Sequence, residues 1–354
     1  DSEGEEGTFY VWTTQQVGAV LSQPEPFLSA YGLTAKGNFE GGRNVLHRVS
    51  GNPESPELLQ ARRALRSARS KRPHPPTDKK LVVAWNGLTI GALARAGRLL
   101  HEPRYVQAAQ EAARAVLHHL RPDGGVPRTL DPGSPRGVLE DYAFLSEGLL
   151  DLWETDHDPT WLIAANDIAT EMTKRFYEPT TGTLYQSEKA AALVIRRSEA
   201  TDGAEPSGPG RALSTLIRLR SLGGSAGDAE VIDKGLQNAH WVLDRSPDNA
   251  TSLSDVADRV QRGSREVVIA TSSSTSEGLT DMLAVYNETI RPDTVLAVVS
   301  SQTAPDLSAF TATIGKEAGD SSPRAYVCRN GTCRQPTDSA DGLRAELARS
   351  WGQP

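Results

Sequence analysis

The chain has 354 residues, with 38 Lys and Arg against 45 Asp and Glu, which gives a formal net charge of −7 at pH 7. This balance argues against nucleic acid as a partner, because phosphate binding needs clustered Lys and Arg. No apolar run reaches the length of a membrane span, and no signal-peptide pattern is present. We therefore expect a cytoplasmic protein without a membrane contact, large enough for two ordinary domains or one helical toroid.

The first 80 residues contain two helical segments separated by loops. An acidic loop leads into an apolar segment at residues 9–12, after which Thr13 or Thr14 can cap a helix that ends near residue 21. A second helix is predicted at residues 56–72; it is rich in Arg, which is typical of a solvated face. The chain has no initiator Met, and we expect that further sequence precedes Asp1.

Repeated pairs of amphipathic helices follow. The first pair is predicted at residues 85–100 and 105–120, the second at 139–153 and 160–176, and a weaker third pair at 210–222 and 229–243. In the helix at 139–153, an apolar stripe is formed by Tyr142, Leu145, Leu149 and Leu152. Helical hairpins repeated about every 50 residues are typical of a solenoid or a closed toroid. The predicted fold class is therefore mainly α, with an incomplete toroid-like region of (α/α) hairpins over residues 1–262.

The pattern changes near residue 262. Strands are predicted at residues 266–270, 294–299 and 324–329, with helices at 276–290 and 339–348, so residues 263–354 should form a small α/β tail packed on the helices. Asn330-Gly331 is a strong signal for a two-residue hairpin turn, which would place Cys328 opposite Cys333. The two cysteines could form a cross-strand disulfide, but nothing else indicates an oxidising compartment, and we expect reduced thiols.

The candidate site follows from the repeat. The first helices of successive hairpins run in the same direction, so their amino-terminal ends should open on one rim, within helix-packing distances of each other. Acidic residues near these ends are candidates for acid/base chemistry on a sugar. The predicted catalytic residues are Asp141, Asp202 and Glu205. The predicted substrate-binding residues are Trp85, Asn86, Tyr142 and Arg197. No cofactor is predicted, and the cysteine and histidine spacings do not indicate a metal site.

Structural roles compete with these assignments. Carboxylates such as Glu140 and Asp141 are common in the first turn of a helix, where they interact favourably with the helix dipole. For Trp85, a place in the core is favoured over contact with a ligand. Asp202 and Glu205 lie in a polar loop without a helical reason to be acidic, which favours a functional role.

Six segments also resemble a known family. They are DSEGEEGTFYVW, GNFEGGRNVL, VVAWNGLTIGALARAG, LEDYAFLSEGLLDLW, DGAEPSG and CRNGTC, in order from residue 1 to about residue 335. They resemble thioredoxin-domain-containing proteins related to spermatogenesis-associated protein 20. The resemblance implies an (α/α)₆ six-hairpin region similar to N-acylglucosamine 2-epimerases and six-hairpin glycosidases. It also implies that this chain lacks the family's amino-terminal thioredoxin-like domain and the first helices of the toroid.

The sequence departs from the family pattern in two places. Asp78-Lys79-Lys80 stands where the family has Asp-Asp-Lys, and Pro209-Gly210 stands where the family usually has Asn-Ser. Both positions lie at helix starts on the predicted rim, so any activity that needs the replaced side chains is in question.

Three hypotheses for function result. The first is a carbohydrate-handling, epimerase- or glycosidase-like toroid whose ligand is a small sugar. The second is a non-catalytic binding or scaffold domain that serves the missing thioredoxin-like domain. A third, redox chemistry at Cys328 and Cys333, has less support because no C-x-x-C motif is present. An open edge of an incomplete toroid would expose apolar surface and favour self-association.

Overall fold

A computed structural model of the chain describes residues 2, 4–49, 51, 54–189, 193–272, 277–319 and 322–350. The chain divides into two compact units, Asp1–Lys79 and Lys80–Pro354. Among the described helices, none offers an apolar stretch that could span a lipid bilayer.

The first unit is a small helical cluster. Its helices are α1 (Thr14–Val20), α2 (Glu25–Ala30) and α3 (Pro56–Arg69). Of the two predicted capping residues, Thr13 is the one that caps α1. Its side chain accepts a hydrogen bond from the Gln16 amide, and the Gln16 side chain accepts one from the Thr13 amide. Trp12, which is buried, packs with residues of all three helices in the unit's core.

The second unit contains three consecutive helical hairpins. Their helices are α4 (Val83–Leu100), α5 (Pro103–His118), α6 (Leu139–Asp156), α7 (Pro159–Phe176), α8 (Gly208–Leu222) and α9 (Ala229–Arg245), followed by a single helix α10 (Thr251–Arg262). Two short antiparallel strands of two residues each follow α7: β1 (Tyr177–Glu178) and β2 (Thr183–Leu184). The helices begin and end close to the predicted positions, and the prediction of a mainly α fold of helical hairpins is confirmed.

The helices of the second unit have a regular neighbour order. α6 packs between α4 and α8, and α8 in turn packs against α10, while α5, α7 and α9 each pack against the helix that precedes them in the chain. The α4–α6 crossing is very close: a Cβ atom added to Gly148 would lie 2.3 Å from the carbonyl oxygen of Gly87. This neighbour order is typical of the inner and outer helices of an (α/α) toroid.

The central helix α6 is buried around nearly its whole circumference. The predicted apolar stripe is in the core, but Glu147, Asp151 and Glu154 on another face are also buried. Arg218 of α8 bridges Asp151 at 3.0 Å and Glu154 at 2.7 Å, and Arg211 of α8 lies 3.1 Å from Glu147. We refer to these three acids and two arginines as the ionic stripe. The ion pairs explain why this charged face can be buried.

The remaining elements form an α/β region within the second unit. They are β3 (Arg265–Thr271), α11 (Glu277–Asn287), β4 (Thr294–Ser300), β5 (Arg324–Arg329), β6 (Thr332–Cys333) and α12 (Ala340–Ala348). The sheet order is β4-β3-β5-β6, with β3 parallel to β4 and antiparallel to β5. The change of element type occurs between α10 and β3, as expected, although residue 276 of the predicted helix lies outside the described residues. The predicted domain boundary at 262/263 lies inside the second unit and stays a prediction.

The β5–β6 hairpin confirms the predicted register of the cysteines. Asn330 and Gly331 have φ values of 51° and 76°, as a two-residue turn of this type requires, and Cys328 pairs with Cys333. Their Cα atoms are 3.9 Å apart and their sulfur atoms are joined as a disulfide. The expectation of reduced thiols is thus corrected, because the register holds the two sulfur atoms at bonding distance.

Candidate functional site

The amino-terminal ends of α4, α6 and α8 meet, as the repeat predicts. The backbone amide of Ala84 in α4 donates to Asp141 of α6, and a Cβ added to Gly208 of α8 would lie 2.9 Å from Oε1 of Glu140. A cleft of about 390 Å³ opens at this junction. We call it the rim cleft; its lining residues are Arg128, Val138, Glu140, Gln186, Glu199 and residues 201–208.

Glu140 is a largely buried acid in the wall of the rim cleft. Its Oε1 accepts a weak hydrogen bond of 3.3 Å from the Gln186 side chain. Its Oε2 is buried and has no hydrogen-bond partner among the residues that the structure describes. Burial raises the pKa of Glu140 above its ordinary value; the negative charge of Asp141 adds to this effect, while Gln186 and Arg128 oppose it. Glu140 therefore keeps its proton to a higher pH than an ordinary carboxyl group.

Asp141 lies beneath the rim cleft and does not line it. Its side chain has no exposed surface, and both carboxylate oxygens lie 3.0 Å from Nη1 of Arg128. It also accepts hydrogen bonds from the backbone amides of Val138 at 2.8 Å and Ala84 at 3.0 Å. Burial raises the pKa of Asp141, and these bonds offset part of that increase. The expectation that Asp141 faces a cavity with Asp202 and Glu205 is corrected: Asp141 ties together the starts of two helices.

Tyr142 is a core residue, which corrects its predicted place at the ligand. It is fully buried, its ring packs edge-on against Phe176 at 5.1 Å between centroids, and its hydroxyl accepts a hydrogen bond from the Val126 amide. The sequence allowed two places for Tyr142, the apolar stripe of α6 and the ligand site at the rim. The structure places it in the stripe.

Asp202 does line the rim cleft, but its carboxylate is engaged by protein groups. Oδ1 accepts from the Ser207 amide at 2.8 Å, and Oδ2 accepts from the Thr251 hydroxyl at 2.7 Å and the Ser252 amide at 2.9 Å. Partial burial opposes ionisation, but these hydrogen bonds outweigh it and lower the pKa of Asp202 to about 2. Asp202 therefore caps the start of α10 and fixes the loop before α8.

Glu205 and Trp85 form a pair at the edge of the rim cleft. The indole Nε1–H of Trp85 donates to Oε1 of Glu205 at 2.5 Å. The Trp85 side chain is 54% exposed, so its ring is open to a ligand and is not a core residue. This contact brings the two predicted site residues together, although they are 120 positions apart in the chain.

The other two predicted binding residues do not line the rim cleft. The Asn86 side chain donates to the carbonyl of Val82 at 2.8 Å, one helical turn back. The Arg197 side chain is 74% exposed and lies 3.5 Å from Glu199. Their predicted roles in binding have no geometric support in the cleft.

The cleft also contains residues that the sequence did not indicate. Arg128 and Gln186 come from loops whose place on the rim depends on the tertiary fold. The sequence placed Glu140 and Asp141 side by side at the start of the helix, but it could not show that Glu140 is the one that lines the cleft. Within the described parts of the chain, no group of three or more His, Cys, Asp or Glu side chains could hold a metal ion.

Comparison with known proteins gives relatives by sequence and distant neighbours by structure. No family model matches the chain. Among solved structures, the GH76A α-1,6-mannanase of Salegentibacter sp. HEL1_6 is 14% identical, with a TM-score of 0.36 over 84% of this chain and 86% of that one. A GH76 α-mannanase of Bacteroides thetaiotaomicron is also 14% identical, with a TM-score of 0.33 over 54% of this chain and 50% of that one. Both TM-scores are below 0.5, so these neighbours carry no information on the function of this chain.

The sequence relatives are more similar to the chain in identity than the structural neighbours are. Human spermatogenesis-associated protein 20 is 28% identical over 97% of this chain and 49% of its own length. The mouse protein of that name is 30% identical over 62% of this chain and 34% of its own length. An uncharacterised protein of Caenorhabditis elegans is 26% identical over 84% of this chain and 42% of its own length. The chain is therefore related in sequence to the proteins named spermatogenesis-associated protein 20, and it spans about half the length of the human one.

Proposed function

We propose that the rim cleft binds a small polyhydroxylated ligand such as a sugar, with Glu140 as the acid that contacts it. The observation that carries this proposal is the carboxyl group of Glu140, which lines the cleft with one buried oxygen unpartnered among the described residues. A buried polar atom without a partner costs about 1–3 kcal/mol, and a ligand hydroxyl would recover that cost.

The cleft also contains two carboxyl groups that could serve as the acid and the base of a reaction on a sugar. A carboxyl group with a raised pKa can donate a hydrogen bond or a proton to a sugar oxygen. Glu205, held by the Trp85 indole, supplies a second carboxyl group on the same cleft. The exposed Trp85 ring at its edge could stack on a sugar ring. In the finer form of the proposal, Glu140 is the general acid and Glu205 the base of an epimerase- or glycosidase-like reaction.

The second candidate is a non-catalytic binding or scaffold domain. Its support is that Asp141 is paired with Arg128 and that Asp202 caps a helix, so two of the three acids first assigned to catalysis have structural tasks. In this case the rim cleft would bind a ligand or a partner segment without converting it.

The test is ligand binding and turnover by Glu140 variants. Neutral mono- and oligosaccharides are screened by isothermal titration against the whole chain over a pH series that rises to pH 8 from 4.5, the ordinary pKa of Glu. Glu140→Ala should weaken the affinity of a bound sugar by about 5- to 30-fold, because one hydrogen bond to the ligand contributes about 1–2 kcal/mol. Glu230→Gln, at an acid with 68% side-chain exposure on α9, is the control and should bind as the unaltered chain does.

The outcomes separate the candidates. Binding should weaken as the pH rises through the raised pKa of Glu140, because only the protonated carboxyl can donate. Turnover that is abolished by Glu140→Gln supports an enzyme, whereas binding without turnover supports the scaffold. If no sugar binds, or if Glu140→Ala binds sugar as well as Glu230→Gln, the carbohydrate proposal is wrong.

A further inference from the structure

A cavity of about 700 Å³ lies beside the Cys328–Cys333 disulfide, where helices α8, α9 and α10 meet the sheet. We call it the disulfide cavity. Its charged lining residues are Arg220, Asp233, Arg259, Glu266 and Lys316, and both cysteines contribute to its wall. The rim cleft shares none of these residues.

Three side chains are aligned across the sheet at this cavity. Glu266 of β3 is directly opposite Cys328 of β5, and Cys328 is directly opposite Cys333 of β6. Directly opposite residues of antiparallel strands point to the same face of the sheet. The two sulfur atoms differ in access: Cys328 is 4% exposed, whereas Cys333 is an exposed residue.

Each cysteine has an ionisable residue as a neighbour. Nζ of Lys316 lies 3.1 Å from Sγ of the exposed Cys333. Glu266, beside the buried Cys328, is 5% exposed, and its Oε2 has no hydrogen-bond partner among the described residues. Burial raises the pKa of Glu266 to about 7, while the charges of Arg329 and Lys316 oppose the increase. A cation beside the accessible sulfur stabilises its thiolate, which is the attacking species in thiol–disulfide exchange, and a carboxylate opposite the buried cysteine can accept the proton of its thiol.

We propose that Cys333 and Cys328 form a thiol–disulfide exchange site that reacts with small anionic thiols and their disulfides. The disulfide cavity is open to solvent at Cys333, and three of the five charged groups that line it are cationic. A carboxylate-bearing thiol of the size of a tripeptide matches this lining. A disulfide that only staples the hairpin would need neither the lysine at one sulfur nor a buried acid opposite the other.

In its reduced form, the site would react with an external disulfide R–S–S–R in two steps. The thiolate of Cys333, stabilised by Lys316, attacks one sulfur; the external S–S bond breaks, a mixed disulfide forms on Cys333, and the first thiolate leaves and takes a proton from water. Cys328 then gives its proton to the carboxylate of Glu266 and attacks Sγ of Cys333. The protein disulfide forms, and the second thiolate leaves with the proton from Glu266. The two cysteines lose two electrons, and the external disulfide gains them.

The first experiment traps the mixed disulfide. The reduced Cys328→Ser and Cys333→Ser variants of the whole chain are mixed with oxidised glutathione, and the adduct is followed by intact-mass spectrometry. Cys333 in the Cys328→Ser variant should react at least tenfold faster than Cys328 in the other variant. Equal rates in the two variants would overturn the assignment of Cys333 as the attacking residue.

A second readout does not depend on either variant folding. The unaltered chain is reduced with dithiothreitol, freed of reductant and pulse-labelled with an alkylating reagent. Cys333 should be labelled before Cys328. A disulfide that stays intact in excess dithiothreitol while the chain remains folded would show a staple and overturn the proposal.

The role of Lys316 is tested by charge removal. A cationic neighbour that lowers a thiol pKa from about 8.5 to about 7 raises the thiolate fraction at pH 7 about 16-fold, and the accompanying loss of nucleophilicity reduces the gain to about threefold. Lys316→Met should therefore slow adduct formation at Cys333 about threefold, and Lys316→Arg should restore it. Lys36→Met, at an exposed lysine of the first unit, is the control. An unchanged rate in Lys316→Met would contradict the proposed role.

Glu266 should act on the second step alone. In an otherwise unaltered chain, Glu266→Gln should leave the rate of attack by Cys333 unchanged and lengthen the lifetime of the mixed disulfide. Asp341→Asn, at an acid whose side chain is 94% exposed, should leave both steps unchanged. A mixed disulfide that closes as fast in Glu266→Gln as in the unaltered chain would remove Glu266 from the mechanism.

Discussion

Glu140 and Asp141 are consecutive residues whose carboxyl groups have different surroundings. Successive residues of a helix are about 100° apart around its axis, so one can face a cleft while the next points between helices. Asp141 is enclosed by Arg128 and two backbone amides, and Glu140 has a buried oxygen that no described residue contacts. We therefore expect substitutions at Asp141 to affect stability, and substitutions at Glu140 to affect the ligand.

Asp141→Asn should destabilise the second unit by about 1–3 kcal/mol, because an amide cannot replace the charge opposite Arg128 and leaves buried donors poorly paired. The measurement is urea denaturation followed by circular dichroism. The control is Asp158→Asn at the N-cap of α7, which should stay within about 0.5 kcal/mol because Asn caps helices as well as Asp does. A loss of sugar binding without a loss of stability in Asp141→Asn would instead restore Asp141 as a site residue.

At the scale of elements, α6 connects the helical part of the second unit. Its acids pair with arginines of α8 through the ionic stripe, and its glycine lets α4 approach within backbone contact distance. A substitution in either contact should lower the free energy of unfolding, because it leaves a buried charge unpaired or forces two closely packed helices apart.

Removal of the central arginine of the ionic stripe should be among the most damaging changes. Arg218→Met leaves Asp151 and Glu154 buried without their shared partner, which should cost about 3–5 kcal/mol of unfolding free energy. Arg262→Met removes an exposed ion pair with Asp258 and should cost less than about 1 kcal/mol. Chemical denaturation of both variants gives the comparison, and equal losses would show that burial of the stripe does not matter.

The glycine contact can be tested with a matched pair of substitutions. Gly148→Ala places a methyl group against the carbonyl oxygen of Gly87 and should cost about 1–3 kcal/mol, because the helices must separate. Gly18→Ala in α1 meets no atom within 4 Å and should stabilise by about 0.5–1 kcal/mol. Thermal unfolding of the two variants should therefore shift in opposite directions. A tolerated Gly148→Ala would mean that α4 and α6 can move apart freely.

The sequence predicted the elements well and the direction of individual side chains poorly. Apolar periodicity located the helices, and the Asn330-Gly331 turn fixed the pairing of Cys328 with Cys333. Periodicity could not show that a polar face of α6 is buried, because its partner Arg218 lies 64 residues from Glu154. For the same reason it could not choose between Glu140 and Asp141, since the direction of each side chain depends on neighbours that are distant in the chain.

At the scale of the whole molecule, the chain consists of two compact units joined near Lys79 and Lys80. Residues 73–81 contain no helix or strand, and most of them are exposed. Such connections are preferred sites of proteolysis, because the backbone must fit an extended protease cleft.

Limited digestion with trypsin should therefore cut first after Lys79 or Lys80. The expected products are two fragments that match the two units, identified by mass spectrometry and by amino-terminal sequencing. Arg211 and Arg218 lie in a folded helix and should be cut much later. Early cleavage inside α8, before the connection is cut, would contradict the division into units.

The ionic stripe also has a consequence for the order in which the chain is made. The acids of α6 are synthesised before Arg218, which follows Glu154 by 64 positions. At roughly 5–20 residues per second, ribosomes need about 3–13 s to add that length of chain. During this interval α6 can pack against α4 and α7, but its three carboxylates have no arginine from α8 to neutralise them. Asp151 already has Arg95 of α4 at 3.5 Å, whereas Glu147 and Glu154 obtain their arginines only from α8, so we expect the emergence of α8 to complete the pairing of the stripe.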